Sequence, residues 1–175
     1  KLLETYMNIH LTAGAGYIGS HAALSLLDAG HNVHIIDDLS TGNESLIPKN
    51  AFFTKCNIND EKIISELIKS NSFDLLMHFA GFIQVEESVK YPQKYFDNNT
   101  ENATKLFETC KNNGLNKIVF SSTAAAYGSV SENKLIDENT NLNPQNPYAE
   151  SKIKTENFLF ENKKDYNFII LRYFN

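Results

Sequence analysis

The sequence predicts an α/β fold in which helices cover both faces of a doubly wound parallel sheet. Apolar segments of strand length alternate with amphipathic segments of helix length along the 175 residues. The strand candidates are apolar at consecutive positions, as in strands that are buried on both faces. Strands that alternate with helices in this way form parallel sheets.

Six strands and four main helices follow from this alternation. We expect the strands at 8–13, 32–37, 51–58, 73–81, 116–123 and 166–174. We expect the helices at 17–30 with Gly30 as the stop, at 60–70 with Asp60 as the cap, at 92–113 and at 145–163.

Composition and charge argue against a nucleic-acid or membrane surface. Hydrophobic residues make up 42% and charged residues 21% of the chain, and the net charge is -5. An acidic protein of this kind is not suited to polyanionic partners. The longest apolar run, FDLLMHFAGFI, has about half the length of a membrane span and includes Asp74 and His78. We therefore expect a cytoplasmic protein.

The termini and the metal-binding residue types give little further signal. Residues 1–6 lack the features of a signal peptide and are interpreted as an N-terminal extension, with one domain over 7–175. Cys56 and Cys110 form neither a disulfide framework nor a metal pattern. His31 and His34 have no Cys or acidic residue at ligand spacing. We expect no metal site.

A Gly-rich turn, TAGAGYIGSH, lies between the first strand and the first helix. Its Gly14, Gly16 and Gly19 match the G-x-G-x-x-G pattern of Rossmann-type folds in the correct structural context. Such glycines let the backbone approach a pyrophosphate at a helix N-terminus. Asp37 ends the second strand, where a carboxylate can bind the adenosine ribose. No Arg or Lys lies between Asp37 and Lys49 to bind a 2′-phosphate. The pattern therefore favours NAD over NADP.

A second set of polar residues is expected at the same edge of the sheet. The fifth strand ends in Ser121, Ser122 and Thr123, and the next helix carries Tyr148 and Lys152 four positions apart on one face. A tyrosine has an ordinary pKa of about 10, which a nearby ammonium group lowers. A hydroxyl, a tyrosine and a lysine beside a nicotinamide ring are typical of a hydride-transfer site.

Six motifs in series carry a family resemblance: TAGAGYIGSH, IIDDLSTG, HFAGFIQVEESVKYPQKYFDNNT, FSSTAAAYG, NPYAESK and LRYFN. Together they resemble the extended short-chain dehydrogenase/reductase family, and within it the epimerases that act on UDP-sugars. The resemblance covers nearly all of 7–175. It implies a Rossmann-type NAD-binding domain and a UDP-sugar substrate.

The resemblance also implies roles for individual residues. Tyr148 matches the catalytic base, Thr123 its hydroxyl partner, and Lys152 the residue that lowers the pKa of the tyrosine and anchors the nicotinamide ribose. The cofactor-binding positions are Gly14, Gly16, Tyr17, Ile18, Gly19, Asp37, Asp38, Asn57, Ile58, Phe79, Ala80, Gly81, Asn98, Tyr148, Lys152 and Phe174. The substrate-binding positions are Thr123, Tyr148 and Asn175.

The implied activity is NAD-dependent interconversion of UDP-glucose and UDP-galactose, by oxidation at C4, rotation of the 4-keto intermediate and re-reduction. Related dehydratases carry an Asp-Glu pair where this sequence has Ala124 and Ala125, so dehydration is not expected. Two alternatives remain. One is another NAD-dependent nucleotide-sugar epimerase or decarboxylase, and the other is a non-catalytic NAD-binding module.

The sequence departs from the family pattern at three places. Ala13 replaces the first glycine of the Gly-rich turn, and Asn57 replaces an acidic residue near the adenine. The C-terminal substrate domain of the family is expected to be missing, so we expect weak NAD binding and slow turnover, if any, from this chain alone. A homodimer through the helices near 92–113 and 145–163 is possible, with Phe96, Leu106 and Phe107 as candidates for its face.

Overall fold

A computed structural model describes residues 6–129 and 135–174, and it contains a six-stranded sheet in which all paired strands are parallel. The order of the strands is β3-β2-β1-β4-β5-β6. They are β1 (Asn8–Thr12), β2 (Asn32–Asp37), β3 (Phe52–Lys55), β4 (Leu75–His78), β5 (Lys117–Thr123) and β6 (Asn167–Tyr173). The predicted doubly wound parallel sheet is confirmed.

Within the described residues, six α-helices, two 3-10 helices and a π-helix connect the strands. The α-helices are α1 (Tyr17–Asp28), α2 (Glu61–Asn71), α3 (Val85–Lys90), α4 (Pro92–Phe96), α5 (Ala103–Asn112) and α6 (Pro147–Glu161). The 3-10 helices are Glu44–Leu46 and Ala124–Tyr127, and the π-helix is Asp97–Asn102. None of the helices in the described part of the chain is both long and apolar enough to cross a membrane.

Two hydrophobic cores lie on opposite faces of the sheet. The smaller core packs α1 on β1 and β2 around Leu11, Ala23 and Ile35. The larger core packs α2, α5 and α6 on the other face, and its largest buried aromatic side chains are Phe107 and Phe120. Because Leu106 and Phe107 are fully buried in this core, they cannot form the predicted dimer face.

The predicted helix over 92–113 is interrupted. It consists of α4, the π-helix and α5, and a further short helix, α3, precedes it. Tyr91 separates α3 from α4 because a residue before proline avoids the helical conformation, and its φ is -133°. Single π turns often occur at functional sites. This one places Asn98 and Asn99 next to the loop after β4.

Two strands are shorter than predicted for local reasons. The strand predicted over 51–58 ends at Lys55, and the side chain of Asn57 then accepts from the backbone N–H of Asn59 in a turn. The strand predicted over 73–81 ends at His78. There the hydroxyl of Thr12 accepts from the backbone N–H groups of Phe79 and Ala80, which takes them out of the ladder.

Candidate functional site

The Gly-rich turn packs the start of α1 directly onto the end of β1. Ala13 has a φ of +55°, and its carbonyl accepts from the backbone N–H of Gly16 at 3.1 Å. A Cβ at Gly19 would lie 2.2 Å from the carbonyl oxygen of Ala13, and one at Gly14 would lie 2.5 Å from Ile35. Gly14 and Gly19 are therefore required for the packing of the turn against the protein.

The N-terminus of α1 differs from those of α2 and α6. The side chain of Asp60 caps α2 and that of Asn146 caps α6, each through a backbone N–H of the first turn. By contrast, α1 begins after Gly16. Among the described residues, no side chain caps this helix, and its first turn contains no acidic residue. The first N–H groups of a helix favour an anion. The start of α1 is therefore suited to a phosphate group.

Two carboxylates end β2. Asp37 is buried, and its oxygens accept from the backbone N–H groups of Ala15 at 3.0 Å and Leu39 at 2.8 Å. Asp38 is half-buried and accepts from the backbone N–H of Ser40 and the side chain of Asn57. Although burial opposes it, hydrogen bonding lowers the pKa of Asp38. Both groups end the strand where a ribose is expected.

A cavity of about 180 Å³ opens beside these groups at the carboxyl edge of the sheet. Eight of the predicted cofactor-binding residues line it, namely Gly16, Asp37, Asp38, Asn57, Ile58, Ala80, Gly81 and Asn98. Ala13, Ser40, Thr41, Gly42, Cys56 and Phe82 also line it and were not predicted from the sequence. The set of lining residues joins the Gly-rich turn, the ends of β2 and β3, and the loop after β4.

Four other predicted residues lie outside this cavity. Tyr17, Ile18 and Phe79 line a second cavity between α1 and the sheet. Phe174 is exposed and stacks on the ring of Tyr127, with 6.1 Å between the ring centroids, beside a larger groove along β6. Asn175 lies outside the described residues.

A buried hydroxyl fixes the loop that forms one wall of the cavity. Thr12 accepts from two backbone N–H groups, so its own proton is available for the Nδ1 of His78, which lies 2.9 Å away. His78 is therefore neutral with its proton on Nε2. Burial, together with the charge of Lys152, lowers the pKa of His78 to about 3, which is consistent with a neutral ring.

Asn99 connects the same loop to α6. Its side-chain oxygen accepts from the backbone N–H of Phe82 at 2.8 Å. Its side-chain amide donates to the carbonyl of Phe82 at 2.9 Å and to the hydroxyl of Ser151 at 3.1 Å. Asn98 was predicted from the sequence as a site residue, but Asn99 was not. The Asn-Asn pair in the motif was the available signal, but which of the two faces inward depends on the π turn.

Lys152 extends from α6 into the interior. Its side chain is fully buried, and its Nζ donates to the carbonyl of Ser121 at 2.8 Å and lies 4.9 Å from the ring centroid of Phe120. A Cβ at Gly81 would lie only 3.1 Å from the Nζ, so the ammonium group is next to a wall of the cavity. Burial lowers the pKa of Lys152 to about 8.

The two predicted hydroxyl groups flank this region. Tyr148 is half-buried in the first turn of α6, where its ring lies 6.5 Å from that of Tyr95 in a T-shaped arrangement. Thr123 ends β5 and caps the following 3-10 helix by accepting from the backbone N–H of Ala125. Lys152 lies one turn after Tyr148 on the same face of α6.

The donor chemistry of the site fits a dinucleotide and not a metal ion. An uncapped helix N-terminus, two carboxylates and an apolar wall match a pyrophosphate, a ribose and an adenine. Among the described residues, no group of three or more His, Cys, Asp and Glu side chains is arranged to hold a metal ion.

Comparison with known proteins decides the family. Residues 9–175 match the NAD dependent epimerase/dehydratase family. The chain belongs to this family. It is 41% identical over 171 residues to a UDP-glucose 4-epimerase of Lacticaseibacillus casei, an alignment that covers 97% of this chain and 51% of the relative. The predicted family resemblance is thus confirmed.

Solved structures agree with this placement. The UDP-glucose 4-epimerase of Thermus thermophilus, in complex with NAD, superposes with a TM-score of 0.91 at 33% identity. The superposed region covers 95% of this chain and 55% of the Thermus thermophilus chain. The UDP-Glc/GlcNAc 4-epimerase of Campylobacter jejuni superposes with a TM-score of 0.90 at 38% identity. The superposed region covers 97% of this chain and 54% of the Campylobacter jejuni chain. The chain spans about half the length of the curated relatives it matches.

Proposed function

We propose that this chain forms the NAD-binding and catalytic part of an epimerase that interconverts UDP-glucose and UDP-galactose. The observation that carries the proposal is the position of the Lys152 ammonium group. It is buried, lies one helical turn from Tyr148, and is next to the wall of the cavity formed by Gly81. A buried charge at such a place is unfavourable for stability and is typical of functional sites.

The chain offers a hydrogen-bonding partner for each part of the cofactor. The N–H groups at the start of α1 would hold the pyrophosphate, and Asp37 and Asp38 would hold the adenosine ribose. Ile58 lines the cavity on the side where an adenine would bind, and Lys152 would hold the nicotinamide ribose. When bound, NAD accepts a hydride from C4 of the sugar and later returns it. Two carboxylates at the end of β2 disfavour a 2′-phosphate, which supports NAD over NADP.

Tyr148 would act as the general base and acid at the 4-hydroxyl of the sugar. Its deprotonated oxygen would take the hydroxyl proton during oxidation, and the phenol formed in that step would give the proton back during reduction. An ordinary phenol, with a pKa of about 10, is too weak an acid for this role near neutral pH. Lys152 places a positive charge one helical turn from Tyr148, and Thr123 would donate a hydrogen bond to the same sugar oxygen. Phe174 and Asn175 remain proposed contacts of the nicotinamide and the substrate.

The choice of sugar is the least constrained part of the proposal. The similar protein of Campylobacter jejuni is described as acting on both UDP-Glc and UDP-GlcNAc, so related enzymes differ in the sugar that they accept. A non-catalytic NAD-binding module is the alternative. It would have no use for a buried ammonium group beside a tyrosine, which is why we favour the enzyme.

The first test is to purify the chain, denature it and measure the NAD released, followed by titration of the folded chain with NAD. We expect NAD binding that falls at least tenfold in Lys152→Ala, whereas the exposed Lys164→Ala does not change it. Turnover of UDP-galactose is then measured with Tyr148→Phe and with Tyr91→Phe, which changes an exposed tyrosine. We expect Tyr148→Phe to abolish any turnover. A folded chain that binds no NAD would contradict the proposal.

We also propose that the chain forms a homodimer through the exposed sides of α3, α4 and α6. Val89 and Tyr91 are 61% exposed, and the ring of Phe96 lies 4.1 Å from the Nζ of Lys154 on α6. Sedimentation equilibrium tests this surface. We expect Val89→Asp to shift the equilibrium to the monomer, whereas Ile169→Asp, at an exposed position of the edge strand β6, should leave it unchanged.

A further inference from the structure

An ion pair between a buried carboxylate on α6 and a partly buried guanidinium on β6 joins these two elements. Glu156 is fully buried, and its two carboxylate oxygens accept from Arg172 on β6, from Nε at 3.0 Å and from Nη2 at 2.6 Å. The hydroxyl of Ser122 donates a short hydrogen bond to the same carboxylate. Arg172 also donates from Nη1 to the hydroxyl of Tyr127 at 2.9 Å. The pair thus connects α6, β5, β6 and the 3-10 helix after β5.

Stability alone does not explain this pair. The cost of removing two charges from water often equals or exceeds their attraction, and apolar side chains of similar size usually pack at least as well. The pair and the groups that it contacts are close in sequence to the proposed catalytic residues. Ser122 precedes Thr123 on β5, and Glu156 follows Lys152 by four positions on α6.

Glu156 and Lys152 are neighbours along one face of α6. Side chains four residues apart on a helix have their Cβ atoms about 5–6 Å apart. Both side chains are buried, so the surrounding water screens their attraction only weakly.

The other groups around Lys152 cannot replace this carboxylate. His78 on β4 is neutral, and Ser121 and Phe120 on β5 offer a carbonyl and a ring face. Arg172 on β6 is a cation, and Tyr148 on α6 is the proposed base. Burial lowers the pKa of Lys152, and Glu156 is the group that opposes this effect by raising it.

We propose that Glu156 is a positioning residue that keeps the Lys152 ammonium charged in its buried site, and that Arg172 holds the carboxylate in place from β6. This inference rests on the proposed function in one respect, namely that the charge of Lys152 acts on Tyr148 and on the cofactor. Arg172 makes a bidentate contact with the Glu156 carboxylate, and this contact fixes the rotation of α6 against β6. Without Glu156, Lys152 would lose its proton at lower pH, and Arg172 would lose its carboxylate partner.

The test is a direct titration of the Lys152 side chain by NMR in the chain free of NAD. The protein carries lysine labelled at Cε and Nζ, and the Lys152 signal is assigned with Lys152→Arg. We expect Glu156→Gln to move the midpoint of the Lys152 titration to lower pH by about one pH unit. The control is Glu161→Gln, the same change at an exposed position of α6, which should leave the midpoint unchanged. An unchanged midpoint in folded Glu156→Gln would overturn the proposal.

A second variant keeps the test decisive if Glu156→Gln does not fold. The double variant Glu156→Gln/Arg172→Gln removes both charges of the pair together, so that neither is left without its partner. We expect its Lys152 midpoint to lie below that of the unmodified chain as well. A midpoint equal to that of the unmodified chain would show that the pair is only structural. Because the titration uses no cofactor and no substrate, its result does not depend on whether the chain binds NAD.

Discussion

The two halves of the sheet build the candidate site in different ways. In the half formed by β1, α1, β2 and β3, most of the binding groups are backbone atoms, exposed by glycines at a turn and by a helix start without a cap. In the half formed by β4, the π-helix, β5, α6 and β6, the site consists of buried side chains such as Lys152, Glu156 and Asn99.

This difference has a physical origin. A phosphate needs several hydrogen-bond donors that point to one place. Uncharged backbone N–H groups supply them at positions where glycine leaves no side chain in the way. Proton transfer needs groups with altered pKa values, and these require burial and chosen neighbours. The first half is therefore sensitive to added volume, and the second half to changes in charge.

The sharpest test of the first half is Gly19→Ala. The added Cβ would lie 2.2 Å from the backbone carbonyl oxygen of Ala13, and backbone atoms cannot move aside as a flexible side chain can. We expect a loss of about 3 kcal/mol in the free energy of unfolding, together with loss of NAD binding. Urea denaturation and NAD titration measure the two effects.

Gly16→Ala is the matched control. Its Cβ would lie 3.3 Å from the same oxygen, a contact that a small shift relieves, so it should cost little stability. If Gly19→Ala and Gly16→Ala were equally stable, steric contact with the Ala13 carbonyl would not determine which substitutions the first half tolerates. The proposed difference between the two halves would then be wrong.

Lys152→Met tests the second half, where we expect stability and binding to change in opposite directions. The pKa of Lys152 is about 8 in the folded chain and about 10.4 for an ordinary lysine, so burial of the charge has its full cost below pH 8. The cost falls between pH 8 and 10.4, where only the unfolded chain still holds the proton. We expect Lys152→Met to raise the free energy of unfolding by about 2 kcal/mol at pH 7, because the lost hydrogen bond to Ser121 offsets part of the gain.

Urea denaturation at pH 7 and pH 9.5 measures this change, with NAD titration alongside. The gain in stability should shrink at the higher pH, and NAD binding should fall at least tenfold at pH 7. Lys164→Met, at an exposed position, should change neither quantity. If Lys152→Met were less stable than the unmodified chain, the ammonium would be a structural group and not a strained functional one.

His10 on β1 is a buried titratable side chain in the first half, as Asp37 is. Its ring stacks on Phe73 at 4.7 Å, and neither of its nitrogens has a hydrogen-bonding partner among the described residues. Burial, with a smaller effect of His34, lowers its pKa to about 3. The unfolded chain binds this proton near pH 6.5, so folding stability must fall as the pH decreases from 6.5 to 3.

We therefore expect His10→Phe to flatten the acid side of the stability profile. Each histidine of this kind contributes about 1.4 kcal/mol per pH unit in that range, and His78 should still contribute after the change. Thermal or urea unfolding between pH 7 and pH 4 gives the slope. The exposed His21→Phe is the control, and a slope that stays the same in His10→Phe would mean that His10 does not titrate with folding.

The same contrast explains how much could be predicted from the sequence. The parallel sheet, the Gly-rich turn and the i, i+4 pair of Tyr148 and Lys152 were predicted because each has a local cause in glycine spacing or helix periodicity. The roles of Asn99 and of the Glu156–Arg172 pair could not be predicted in this way. Their partners lie 52 and 16 residues away along the chain, and only the folded structure shows which side chains face each other.

The predicted dimer face shows a second limit of helix periodicity as a basis for prediction. Leu106 and Phe107 lie on a helix at positions that could face either a partner or the chain's own sheet, and the structure buries both against the sheet. The strand ends were also misplaced, because the Thr12 hydroxyl and the Asn57 side chain replace ladder hydrogen bonds there. Such competition by side chains depends on tertiary contacts.

Ala13→Gly gives the smallest expected effect and makes the comparison more exact. Ala13 has a φ of +55°, where an L-residue with a Cβ is strained by about 1–2 kcal/mol, but glycine gives back about 0.5–1 kcal/mol through the entropy of the unfolded chain. We expect a net gain of about 0.5 kcal/mol in the free energy of unfolding and an unchanged affinity for NAD. Both follow if the strain at Ala13 is confined to the backbone. A rise in affinity of fivefold or more would instead mean that the Ala13 methyl group reaches into the phosphate site, so that added volume limits this half of the molecule even in the natural sequence.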